Sequence, residues 1–267
     1  MTVRLNRVEE ITPGLPPDAP VVLMLGSLGS TLDMWRPQVP ALAPSYRVVR
    51  AETRGHGGSP VPPGPYDIDD LADDAVAVLD DLGVDRAHLV GLSLGAMTAL
   101  RVAAREPARV DRLAVLCTSA RLGPPQMWAD RAAAVRAGGM GAVAEAVVGR
   151  WLTPGFAGDH PATVAWLEDM VRSHDPDGYA ACCGVIERMD LRADLASITA
   201  PLLAIAGADD PVTTPEHLAL IADGVQDGGL LVVDDAAHLA NLQQPDAINA
   251  AIRAHLAGAP TTAEEQD

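Results

Sequence analysis

Lysine is missing altogether: all 19 basic side chains of the 267-residue chain are arginine, set against 36 acids for a formal charge of −17. Without lysine there is no Schiff-base amine and no P-loop lysine, which removes two large classes of chemistry. A surface this acidic repels phosphate backbones and anionic lipid, so neither nucleic acid nor membrane is an expected partner. No apolar stretch reaches the ~18 uninterrupted residues of a membrane-spanning helix. The first twenty residues are polar and proline-rich, and the chain reads as cytoplasmic. Cysteine is scarce and odd in number, and Cys182 and Cys183 are neighbours that could pair only in a strained ring. All three cysteines read as reduced, with Cys117 a small core residue. Disorder is excluded by the balance of 48% hydrophobic against 21% charged residues.

What is present is an alternation. Short Val- and Leu-rich runs at Val21 to Leu25, Arg47 to Ala51, Ala87 to Gly91, Arg112 to Thr118, Pro201 to Gly207 and Gly229 to Val233 read as strands, with Arg4 to Glu9 as an edge. Helical stretches fall between them at Asp67 to Leu82, Ala96 to Glu106, Pro215 to Asp223 and Pro245 to Leu256. This pattern predicts an α/β fold, a mainly parallel sheet covered by helices on both faces. Residues 1–120 and 197–257 form its core. Residues 121–196 contain no convincing strand and read as an inserted helical cap, and residues 258–267 as a disordered tail or the start of a linker. Trp128, Trp151, Phe156, Trp166 and Tyr179, most of the chain's aromatics, fall in the cap and would line an apolar pocket above the sheet.

The chemistry begins at Gly91-Leu92-Ser93-Leu94-Gly95, between an apolar run and a helical stretch. A strand, tight turn and helix would hold Ser93 in a strained conformation with its hydroxyl above the sheet, and only small residues fit two positions to either side. Of seven histidines, His238 alone follows an apolar run and a turn that would bring it to the same sheet edge; His56, in a glycine-rich loop, is its rival as general base. Its imidazole needs a carboxylate on Nδ1. The turn after Ala206 offers Asp209 and Asp210, of which Asp210 is favoured. Two backbone N–H groups must meet the developing oxyanion: Leu94 supplies one, and the turn Gly26-Ser27-Leu28-Gly29-Ser30 the other, from Ser27 or its neighbour Leu28.

With these segments, Leu32-Asp33-Met34-Trp35, Thr53-Arg54-Gly55-His56-Gly57, Tyr179-Ala180-Ala181-Cys182-Cys183 and Ala236-Ala237-His238-Leu239-Ala240-Asn241, the chain resembles the α/β-hydrolase superfamily and, within it, the 3-oxoadipate enol-lactonases of the β-ketoadipate pathway of aromatic degradation. Glu52 departs from the usual Asp, and Leu25 stands where many hydrolases have His. The resemblance implies a Ser93, Asp210, His238 triad, a small anionic lactone as substrate, and no cofactor or metal. It also implies a cap Trp and Arg in the pocket, here Trp128 and Arg131, which are three apart and would share one helix face. Alternatives on the same fold are a general carboxylesterase or a carbon–carbon bond hydrolase, and, in another class, a non-catalytic ligand receptor. A serine rather than an aspartate at the elbow disfavours haloalkane dehalogenation.

Overall fold

The computed structural model describes residues 1–258; all but the first residue of the expected tail lies outside that range. Seven strands form one sheet: β1 (Arg7–Glu10), β2 (Val21–Leu25), β3 (Arg47–Ala51), β4 (Ala87–Leu92), β5 (Val110–Leu116), β6 (Leu202–Gly207) and β7 (Gly228–Val233). Their order is β1-β3-β2-β4-β5-β6-β7, with β1 antiparallel to β3 and every other pair parallel. Strands β2, β4 and β6 are buried at every position, which is why they read as unbroken apolar runs.

Two edges differ from expectation. Strand β1 runs over Arg7–Glu10 rather than Arg4 to Glu9, because Glu9 and Glu10 pair with Arg47 and Arg50 of β3. Upstream, the Val3 and Asn6 N–H groups donate to Asp74 and Ser59 side chains instead of continuing a ladder. Strand β5 stops at Leu116, two residues early, where Cys117 turns to a φ of 43°. On β7 the cover is one-sided, and Leu230 and Val232 are exposed.

Helix Ile68–Asp81 begins with a reciprocal capping box between Asp67 and Asp70. It also carries Asp74, which is 1% exposed and holds the equally buried Arg54 through contacts of 2.6 and 2.8 Å. That pair fixes the loop after β3 against the helix. In the same loop the Glu52 carboxylate accepts from Gly58 N–H at 2.6 Å and from Asn6 at 2.7 Å. Gly57, at φ 53°, lies against that carboxylate in a left-handed turn that favours glycine.

Between β5 and β6 the regular elements are helical, among them Pro125–Gly138, Ala144–Val148, Pro161–Arg172 and Pro176–Arg188. The first and last of these pack on each other. Where the insertion leaves and rejoins the core, Leu191 N–H donates to Ala120 C=O at 2.8 Å, and midway along it Trp151 C=O accepts from Leu239 N–H at 2.8 Å. No described helix is long and apolar enough to cross a membrane. All three cysteines are free and buried.

Candidate active site

Ser93 sits between β4 and helix Leu94–Arg105 at φ 53° and ψ −115°, a conformation that L residues rarely adopt. Its flanks explain how it is held. A Cβ on Gly95 would come within 2.1 Å of Leu25 C=O at the end of β2, and one on Gly91 of β4 within 2.5 Å of the Ala96 backbone, so the helix packs closely on both strands only because both residues are glycine. Ser93 N–H donates to Leu116 C=O, and Ser93 C=O accepts from the Thr118 hydroxyl at 2.9 Å.

His238, in the loop after β7, is 4% exposed and its Nδ1 lies 2.8 Å from Asp210 Oδ2. Asp210 is also buried, whereas Asp209 is exposed. The other Asp210 oxygen accepts from Val212 and Thr213 N–H, and the Thr213 hydroxyl donates to Oδ2 at 2.6 Å. Burial pushes this carboxyl up, but His238, Thr213 and the Val212 N–H together outweigh it and hold the group below its ordinary value. Thr213 was not singled out from sequence; its place three residues after Asp210, in an Asx-type turn, is the signal that could have found it.

Ser93, His238, Ser27, Leu28, Trp128 and Arg131 line one cavity, together with Arg150 and Tyr179. Trp128 Nε1 donates to Leu122 C=O, and the Arg131 guanidinium lies 4.5 Å from the Trp128 ring centroid, so the ring orients the cation. The cavity measures about 30 Å³, room for one or two water molecules. A wider groove of about 820 Å³ lies outside it, between Val61 to Pro65 and the helices Pro125–Gly138 and Pro176–Arg188, and contains neither Ser93 nor His238. Among the described residues no group of three or more His, Cys, Asp or Glu side chains is placed to hold a metal ion.

The two loop donors differ in their surroundings. Ser27 N–H faces Met34 Sδ at 3.3 Å, while Leu28 N–H has no acceptor among the described residues. Leu94 opens its helix, where the first N–H groups have no intrahelical partner. His56 is not in the cavity: it is 1% exposed and accepts the Gly29 N–H on Nε2. Burial, then the neighbouring His174, lowers its pKa to about 3.

The family model described as alpha/beta hydrolase fold matches residues 20–245. A 3-oxoadipate enol-lactonase of Acinetobacter baylyi is 38% identical over 237 residues, 89% of this chain and 88% of that protein. A protein of Variovorax paradoxus named as a candidate carbamate hydrolase, RutD, is 31% identical over 248 residues, covering 91% and 93%. The crystal structure of the enol-lactonase from Burkholderia xenovorans LB400 superposes with a TM-score of 0.90 at 37% identity, covering 95% and 96% of the two chains. The fold, the strained Ser93 turn and these likenesses agree: the chain belongs to the α/β-hydrolase fold family and is a hydrolase.

Proposed function

We propose that the protein opens 3-oxoadipate enol-lactone to 3-oxoadipate by acyl transfer through Ser93. The observation that carries this reading is that Ser93, His238 and the Trp128–Arg131 pair line one cavity, whose side chains must move apart to admit a lactone larger than its present volume of about 30 Å³. Likeness to enol-lactonases supports the substrate.

In this reading His238 Nε2 takes the Ser93 proton as Oγ attacks the lactone carbonyl, and Asp210 on Nδ1 stabilises the imidazolium. The oxyanion is met by Leu94 N–H and by the Ser27 loop. Leu28 offers a free donor there, whereas Ser27 N–H must leave the Met34 sulfur, a weak acceptor. The ring C–O bond breaks with its electron pair on the ring oxygen, His238 returns the proton, and the enol ketonises, which makes the step hard to reverse. Water, deprotonated by His238, then hydrolyses the Ser93 ester. Arg131 holds the substrate carboxylate, a local cation that a chain of net charge −17 requires for an anionic ligand.

A carbamate is the second reading, favoured by the small cavity and by the Variovorax paradoxus relative. Loss of enol-lactone absorbance, assayed beside neutral esters and carbamate, decides between them. Turnover of neutral esters or carbamate in preference to the enol-lactone overturns the proposal.

A further inference from the structure

Two guanidinium groups, not one, face the cavity, and both lack an acidic partner. Most of the chain's arginines are paired, and Arg54, Arg101 and Arg105 each contact two aspartates. Neither Arg131 nor Arg150 lies within 4.0 Å of a carboxylate among the described residues, and the one side-chain hydrogen bond of Arg150 runs from Nε to Ala146 C=O at 3.0 Å, leaving its terminal nitrogens free. The two are close enough that, after burial, the Arg131 charge is what lowers the Arg150 pKa.

A third donor stands with them. Tyr179 is fully buried and lines the same cavity beside Arg131, and its hydroxyl finds no acceptor among the described residues. Burial pushes this phenol up and keeps it protonated, so that it is able to donate. A buried hydroxyl left unpaired is a penalty that a bound acceptor removes. Like charges side by side are a second penalty, removed by the same kind of ligand.

We propose that Arg150 and the Tyr179 hydroxyl, with Arg131, form a three-donor carboxylate site, which makes Arg150 and Tyr179 specificity-determining residues for acyl substrates that carry a carboxylate away from the scissile carbonyl. This rests on the enol-lactonase reading for the identity of the substrate, and on the cavity alone for its charge. A carboxylate offers about four lone-pair positions on two oxygens, enough for two guanidiniums and one hydroxyl. Trp128, Trp151 and Leu122 around the donors exclude water and strengthen each contact. A neutral amide keeps one carbonyl acceptor but turns an NH2 donor toward the guanidiniums and brings no charge to offset theirs, so discrimination by charge is the expected property of the site.

The probes are adipate, a dicarboxylate with the product's chain length, and its uncharged diamide, each tested as a competitive inhibitor of p-nitrophenyl acetate hydrolysis. In the wild type adipate should inhibit far better than adipamide. Arg150→Gln should lower the ratio of the two inhibition constants about 10- to 100-fold, the value of a charge-assisted hydrogen bond. Tyr179→Phe, which keeps the ring, should lower it several-fold, and Arg150→Lys should restore part of the loss. An unchanged ratio in Arg150→Gln, with the thermal midpoint preserved, overturns the proposal. So does an equal weakening of both inhibitors, which marks Arg150 as structural. The enol-lactone assay separates the two readings: a wild type that ignores the lactone but discriminates by charge through Arg150 sinks the substrate and keeps the site. If Arg150→Gln opens the lactone at the wild-type rate and its inhibitor ratio is unchanged, the site falls and the substrate stands.

Discussion

The Gly29 amide donates to His56 Nε2 at 2.9 Å, tying the loop after β2 to the loop after β3 through an imidazole that must stay neutral to accept. Burial holds the His56 pKa at about 3, and burial with the Arg112 charge holds His255 at about 4, against an ordinary 6.5. The unfolded chain takes up these protons near pH 6.5, so their contribution to stability is complete above that pH and lost as pH falls. Each should remove about 1.4 kcal/mol per pH unit until the folded group itself titrates. Denaturant midpoints between pH 6.5 and 5 should therefore drop steeply, and His56→Asn should flatten the slope. A wild-type midpoint that stays level across this window contradicts the assignment of two buried neutral histidines.

Ser93→Ala should keep the fold and abolish turnover, by about 10⁴- to 10⁶-fold, since binding and the oxyanion donors cannot replace attack. A fluorophosphonate should label the wild type at Ser93 and leave the variant unlabelled. Comparable hydrolysis by the two proteins would remove Ser93 from the mechanism.

Asp210→Asn should lower kcat by roughly 10⁴-fold through the wrong imidazole tautomer, whereas Asp209→Asn, on an exposed side chain, should change it little. Steady-state kinetics of both variants provide the check, and the reverse ranking refutes the orienting role of Asp210.

Arg131→Ala should reduce the ratio of enol-lactone to neutral-ester kcat/KM by about 10- to 150-fold, for charge-assisted bonds of about 1.5–3 kcal/mol. Parallel losses on both substrates would assign Arg131 to the support of the helical insertion.

Asp74→Ala strands Arg54, 3% exposed, with only the longer 3.3 Å contact to Asp70 among its acidic partners. Loss of about 3–5 kcal/mol is expected for breaking such a buried pair, read as a lowered denaturant midpoint. A shift under 1 kcal/mol would show that Asp70 replaces Asp74.

The buried strands were legible because a parallel sheet covered on both faces needs apolar residues at every position, as in Val21–Leu25. The start of β1 was not, since its pairing is decided by Arg47 and Arg50 on another strand. Ser93, Asp210 and His238 were singled out from turn context, and the fold sets His238 against Asp210 and brings Ser93 and His238 to one cavity. Ser27 and Leu28 could not be ranked, because what separates their N–H groups is the position of the Met34 sulfur. Arg150 was passed over, although one signal lay in the sequence: in a chain with 36 acids, none stands three or four residues to either side of it.

Some of the bonds that seat the helical insertion use side chains, as where Gln243 bonds Thr153 and Arg188 donates to Tyr66 C=O, whereas two, Leu191 to Ala120 and Leu239 to Trp151, run between main-chain atoms. Any residue can accept such a bond, and any but proline can donate it. The covering segment is thus held in part by groups that substitution does not remove, at ends fixed by the neighbouring parallel strands β5 and β6. Its side chains are free to drift under selection for a different acyl group while Ser93, Asp210 and His238, all outside it, keep their places. In evolutionary terms the segment is an exchangeable part on a permanent mount.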